Sequence, residues 1–182
     1  MIMAAAAGGD VLVKNIIPKH MASLVSKLEE MGVDIEEYDD AIRVRRTNPL
    51  RPCDVRTMPY PGFPTDLQPQ IVALLTLAKG TSMVTEDVWD NRFQYVGELK
   101  RLGADISVQG KTAIIEGGEA LHGAPVRATD LRAGAALIIA ALASDGVTTI
   151  NDPVYIDRGY ESIETRLSNI GAKIERVYIS NG

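Results

Sequence analysis

The stretch Arg56-Thr-Met-Pro59-Tyr-Pro61-Gly-Phe-Pro64-Thr65-Asp66-Leu67-Gln68 is well suited to hold a reactive group still. Three prolines and Gly62 fix a loop that ends at a helix start. Thr65 is a good N-cap, and Gln68 three residues later completes a capping box. Asp66 then falls in the first turn, where the helix dipole stabilises its anion. A carboxylate held in this way can accept a proton from a substrate hydroxyl. A helix-start acid without chemistry is the alternative, and Thr129-Asp130 at the corresponding place further on supports it.

Three arginines stand at expected helix entrances: Arg92 in Asp90-Asn-Arg-Phe93, Arg132 in Asp130-Leu-Arg-Ala133 and Arg158 in Asp157-Arg-Gly-Tyr160. A guanidinium matches carboxylate and phosphate geometry, so arginines gathered beside helix N-termini make an anion site. The alternative is ion pairing with the neighbouring aspartates. Cys53 follows Pro52 with no histidine near it and reads as a passive thiol. His20 and His122 are far apart, no metal-ligand spacing occurs, and no nucleotide-binding glycine loop or Ser/His/Asp signature is visible. No metal and no cofactor is implied.

An internal repeat must position these residues. Leu28-Glu-Glu-Met-Gly32-Val-Asp-Ile-Glu, Leu99-Lys-Arg-Leu-Gly103-Ala-Asp-Ile-Ser and Leu167-Ser-Asn-Ile-Gly171-Ala-Lys-Ile-Glu recur at a period of roughly seventy residues. Strand candidates follow Gly9, Gly80 and Gly146 in phase. Each unit reads as strand, buried helix, strand, amphipathic helix and strand pair. Ile71 to Ala78 and Ala133 to Ala143 are apolar nearly all round, which implies burial on most sides. Met21, Leu24, Val25, Leu28 and Met31 make an amphipathic stripe, repeated by Tyr160, Ile163, Leu167 and Ile170. Strand pairs are expected for Val33–Glu37 with Ile42–Arg45, and for Asp105–Val108 with Thr112–Glu116. The expectation is one α/β (α+β) domain over 1–182, with units at approximately 1–50, 51–120 and 121–182. The first unit opens inside its buried helix and the third stops before its last return strand, so the chain reads as a fragment.

Composition narrows the function classes. Of 182 residues, 46% are hydrophobic and 24% charged, ordinary for a globular domain. The net charge of −5 speaks against nucleic acid and anionic membranes as partners, and no apolar run is long enough to span a bilayer. A single cysteine and no signal peptide suit a cytoplasmic location.

Four ordered motifs carry a resemblance: Pro61-Gly-Phe-Pro-Thr-Asp66, Glu86-Asp-Val-Trp-Asp-Asn-Arg-Phe93, Ala128-Thr-Asp-Leu-Arg-Ala133 and Ile156-Asp-Arg-Gly-Tyr-Glu161. Along nearly the whole chain, Gly171-Ala-Lys-Ile-Glu-Arg176 included, the sequence resembles the C-terminal half of the UDP-N-acetylglucosamine 1-carboxyvinyltransferases. The resemblance implies an inside-out α/β barrel domain of three βαβαββ units, helices inside and sheets outside, with the first and last units incomplete. It implies transfer of enolpyruvate from phosphoenolpyruvate to the 3′-hydroxyl of UDP-N-acetylglucosamine in peptidoglycan synthesis.

By motif, Asp66 resembles the proposed base at that hydroxyl, and Val88 a contact to the UDP-sugar. Arg132 and Arg158 correspond to active-site arginines, with Arg158 facing the phosphoenolpyruvate carboxylate, and Arg92 matches a further one. Trp89 and Asp90 stand where the family usually has phenylalanine and glutamate. The family's substrate-binding lysine, its proton-donating cysteine and the uracil contacts belong to the N-terminal half, so the chain alone is expected to be inactive and that half is its implied partner. A shikimate 3-phosphate enolpyruvyl transferase domain, or a non-catalytic module reusing the fold, are the competing readings.

Overall fold

The computed structural model describes residues 1–178. The chain begins with α1 (Ile2–Ala7) and β1 (Asp10–Lys14), then a 3-10 turn at Pro18–Met21 leads into α2 (Ala22–Glu30). The strands β2 (Asp34–Glu37) and β3 (Ala41–Arg45) follow, and β1-β3-β2 form an antiparallel sheet. The order then recurs with its leading strand present: β4 (Val55–Arg56), α3 (Gln68–Leu75), β5 (Gly80–Thr85), α4 (Val96–Arg101), β6 (Asp105–Gln109) and β7 (Thr112–Gly117). Their sheet runs β4-β5-β7-β6, parallel at β4/β5 across the α3 crossover and antiparallel elsewhere. A third passage gives β8 (Pro125–Arg127), α5 (Leu131–Ala143), β9 (Thr149–Asn151), α6 (Val154–Asp157) and α7 (Ile163–Asn169), with β8 and β9 parallel.

The all-round apolar helices do lie in the centre. Every residue of α3 is buried, as is each position from Ala133 to Ala140 of α5, and α1, α3 and α5 pack on one another. Alanines at Ala4, Ala5, Ala6, Ala133, Ala135 and Ala136 let these backbones approach closely. The sheets lie outside with one face inward; Ile42 and Val44 of β3 and Ala113 and Ile115 of β7 are fully buried. Truncating a side chain sealed in this centre, such as Leu137, to Ala costs roughly 2–5 kcal/mol. The three sheets do not hydrogen-bond to one another, so the fold is a mixed α/β array and no closed barrel forms among the described residues.

The repeated glycines have one conformational cause. Gly32, Gly103 and Gly171 follow the caps of α2, α4 and α7 with φ of 87°, 93° and 102°, the left-handed turn that ends a helix. The third passage departs from the pattern. Helix α7 starts only at Ile163, after the left-handed Ser162, so Tyr160 precedes it and Ile170 beyond it is 63% exposed. Residues 172–178 pair with no strand, and the expected stop at Gly182 lies outside the described residues.

Candidate functional site

The proline-rich loop is pinned at both ends. Phe63 is buried and its carbonyl accepts the Met58 N–H at 2.8 Å, while Gly62 N–H bonds Pro59 O at 2.8 Å. A Cβ on Gly62 would fall 2.5 Å from the Met58 Cβ, so the turn admits no side chain there. The Tyr60–Pro61 peptide is cis.

Asp66 does not sit where the capping box would put it. Thr65–Leu67 form a separate 3-10 turn, α3 begins only at Gln68, and its cap Leu67 makes no side-chain bond. The Gln68 N–H goes to the Thr65 carbonyl, which removes the donor that the Thr65 hydroxyl would have needed. That hydroxyl instead donates to Glu86 Oε2 at 2.9 Å, and Gln68 Oε1 accepts from the Tyr95 hydroxyl at 2.6 Å. Burial, with the charges of Glu86 and Asp130 adding to it, pushes the Tyr95 phenol well above its ordinary pKa, so it stays a donor.

The Asp66 carboxylate reaches across to the next repeat. Arg132, in the first turn of α5, donates from Nε to Asp66 Oδ1 at 2.6 Å. Asp66 Oδ2 has no protein partner among the described residues, and the side chain is 65% exposed. Asp130 behaves differently. It is the N-cap of α5, its Oδ1 accepting from Arg132 N at 2.9 Å and Ala133 N at 3.0 Å.

Neither remaining arginine lies at a helix entrance. Arg92 is in the loop before α4, its Cζ 5.7 Å from the Trp89 ring centroid. Arg158 is the C-cap of the one-turn α6, 5.5 Å from the Tyr155 ring. The short α6 ends at Asp157, so the segment expected to open a helix instead closes one, and residues 158–162 separate it from α7. Pairing with the adjacent acids does not occur either: Asp90 takes Lys111 Nζ at 2.9 Å, Asp130 caps α5 and Asp157 takes Arg176 at 2.6 Å. Among the described residues no salt bridge engages Arg92 or Arg158, which leaves both for an anion. Arg176 holds the Asp157 and Glu164 carboxyls below their ordinary pKa by hydrogen bonding both.

The segments nevertheless converge. The Gly159 position meets Leu131 Cδ2 at 2.7 Å from where a Cβ would stand, so the Arg158 segment lies directly on the start of α5. On the other side Glu86 joins the Asp66 turn to the Val88–Arg92 loop, and a hollow of about 260 Å³ beside that loop is lined by Glu86, Trp89, Arg92, Val108 and Lys111. A larger hollow of about 480 Å³ lies by Gly8, Arg46 and Lys79, behind the C-terminal ends of α1 and α3. Sequence reasoning gave Glu86 no role; its signal was an acid directly after a strand with one buried face, at the head of the Glu86–Phe93 motif. Cys53 is buried, and burial with the Glu30 charge pushes its thiol up to about 11, which keeps it unreactive.

An array of buried helices sheathed by separate sheets is shared with a solved enolpyruvyl transferase; in this chain it joins the Asp66 carboxylate to Arg132 at the start of α5. The enolpyruvyl transferase NikO from Streptomyces tendae superposes with a TM-score of 0.86 at 31% identity, over 96% of this chain and 42% of that one. EPSP synthase from Acinetobacter baumannii shares the fold at a TM-score of 0.76 and 19% identity, over 97% of this chain and 45% of its own. The chain belongs to the EPSP synthase (3-phosphoshikimate 1-carboxyvinyltransferase) family, whose model matches residues 1–167.

Among curated relatives, UDP-N-acetylglucosamine 1-carboxyvinyltransferase 3 of Caldanaerobacter subterraneus is 55% identical over 177 residues, 97% of this chain and 42% of the relative. UDP-N-acetylglucosamine 1-carboxyvinyltransferase of Desulfofundulus thermocisternus is 53% identical over 97% of this chain and 72% of the relative. UDP-N-acetylglucosamine 1-carboxyvinyltransferase 1 of Staphylococcus aureus is 51% identical over 97% of this chain and 42% of the relative. The chain thus spans less than half the length of most of these proteins. Among the described residues no helix is long and apolar enough to cross a membrane.

Proposed function

We propose that this chain forms the C-terminal domain of a transferase that moves enolpyruvate from phosphoenolpyruvate to the 3′-hydroxyl of UDP-N-acetylglucosamine, releasing phosphate. The observation that carries the reading is the Asp66–Arg132 pair at 2.6 Å. It holds a carboxylate by one oxygen at the junction of two helix starts and leaves the other oxygen to accept a hydroxyl proton. In this reading Asp66 takes the sugar proton as the oxygen attacks C2 of phosphoenolpyruvate, while C3 takes a proton from the donor that the resemblance assigns to the N-terminal half. Phosphate then leaves C2 as C3 gives up a proton and the double bond re-forms, with Arg132 fixing the carboxylate throughout. Arg158 and Arg92, free of acidic partners, bind anionic groups of the substrates, and the Val88 backbone contacts the UDP-sugar.

The domain comprises three repeat units, approximately 1–50, 51–120 and 121–182. The lysine and cysteine that the resemblance assigns to the N-terminal half complete the site when the two halves close. The protein works in the cytoplasm, where a buried free thiol such as Cys53 persists. The test is phosphate release from phosphoenolpyruvate with UDP-N-acetylglucosamine, by the chain alone and then with the N-terminal half of a relative added. Turnover is expected only in the second case; full turnover by the chain alone would sink the half-site reading.

A second reading, transfer to shikimate 3-phosphate, draws on the description of the matching family model. The relatives at more than half identity bear the UDP-sugar name, while the EPSP synthases stand at 19%. Binding measured with both acceptors separates the two.

A further inference from the structure

Glu86 is 1% exposed at the end of β5 and, among the described residues, has no basic partner in a salt bridge. A carboxylate withdrawn from water in this way is costly unless its lone pairs are occupied. They are. Oε1 accepts from the Thr57 hydroxyl at 2.7 Å, Val88 N at 2.9 Å and Trp89 N at 3.1 Å, and Oε2 accepts from the Thr65 hydroxyl at 2.9 Å. The Thr57 hydroxyl in turn accepts from Asp87 N at 3.0 Å. Four donors thus meet a carboxylate that offers roughly four acceptor sites, three of them crowded on Oε1 and one on Oε2.

The donors come from three segments: the foot of the proline-rich loop, the turn bearing Asp66, and the loop bearing Val88 and Arg92. Thr65 is the residue before Asp66. An apolar side chain at this spot would leave four donors from these three segments without their acceptor, so hydrogen bonding rather than packing calls for the carboxylate.

We infer that Glu86 is a positioning residue, one that holds the base-bearing turn against the sugar-contacting loop and so sets the spacing between Asp66 and the Val88 backbone. This rests on the functional reading given above. Glu86 touches no reacting atom; it acts through Thr65 and Val88. Misplacing a reacting group by about 1 Å costs on the order of 10²-fold in rate.

Three variants test the inference in the reconstituted two-half assay, with rates taken per folded molecule. Glu86→Ala is expected to lower kcat/KM for the UDP-sugar about 100-fold. Glu86→Gln keeps the acceptor for three donors and lets the Thr65 hydroxyl turn to accept, so it is expected to recover most of that loss. Thr65→Val, which removes one bond at nearly constant volume and keeps the variant set informative if Glu86→Ala does not fold, is expected to lower kcat about 10-fold. Wild-type kcat from both Thr65→Val and Glu86→Ala, or no rescue by Gln, overturns the inference.

An independent readout needs no turnover. Trp89 is the single tryptophan of the chain, so its fluorescence reports the clamped loop directly. Glu86→Ala is expected to lower its anisotropy and raise acrylamide quenching, and unchanged values overturn the inference. If the unsubstituted protein shows no turnover, the functional reading fails, and the Trp89 signal then decides the clamp by itself.

Discussion

Thr65-Asp66-Leu67 and Thr129-Asp130-Leu131 stand before neighbouring central helices in successive units of the repeat, yet the two aspartates are held differently. Asp130 caps α5 through the N–H groups two and three residues on, Arg132 and Ala133. The corresponding positions after Asp66 are Gln68 and Pro69. Proline has no N–H to give, and the Gln68 N–H is taken by the Thr65 carbonyl. Asp66 has therefore nothing to cap. Its carboxylate is released toward Arg132 in the next repeat, and the two starts are joined through it. One proline thus frees Asp66 from the capping role that Asp130 keeps.

The sharpest way to break this contrast is activity. In the reconstituted assay Asp66→Asn is expected to lower kcat by about 10²–10⁴-fold, the usual contribution of a general base. Asp130→Asn, still a good cap, leaves it within a few-fold. Equal losses from the two would show that both acids serve the same role.

The next effect is on packing. Where α3 carries Gln70, α5 carries Gly134, and a Cβ there would stand 2.4 Å from Ile156 Cγ1 of α6. Gly134→Ala is expected to destabilise the fold by about 1–3 kcal/mol in urea titration, even though alanine is the better helix former. Because α6 carries Arg158, it should also weaken phosphoenolpyruvate binding. A stability gain would show that α6 yields freely.

Smaller again is the cap itself. Asp130→Ala is expected to cost about 1 kcal/mol of stability by the same titration. Asp66→Ala, whose ion pair is largely solvated, should stay within about 0.5 kcal/mol. The reverse order would mean that Asp66 is the structural acid.

The smallest expected effect concerns the acid beside Arg158. Asp157 and Glu164 are depressed in pKa by Arg176, so their contribution to stability is present above the ordinary carboxylate range of about 4 and is lost as pH falls through the lower folded values. The stability difference between wild type and Arg176→Gln should therefore be constant near pH 7 and shrink below about pH 4. A difference that persists at pH 3 would assign Arg176 a role other than this clasp.

Much of the architecture was legible because it depends on periodicity. Repeated glycines past the caps of α2, α4 and α7, and the all-round apolar stretches of α3 and α5, state which helices end where and which are enclosed. The site was less legible. The capping box at Thr65 and Gln68 satisfied the local pattern, but each side chain found a distant partner, Glu86 and Tyr95, that local spacing does not reveal. The arginines read as ion-paired or clustered, and the structure shows their adjacent acids occupied by Lys111, the α5 cap and Arg176.

By itself, then, the sequence determined the repeat, the enclosed helices and the residue types able to handle anions, since these follow from side-chain chemistry and spacing along one chain. It even contained Pro69, the reason Asp66 cannot cap. Only the tertiary structure decided which carboxylate meets which guanidinium and that Glu86 gathers three loops. Hydrogen bonds between residues dozens of positions apart are set by how the helices pack, and no local pattern encodes that distance.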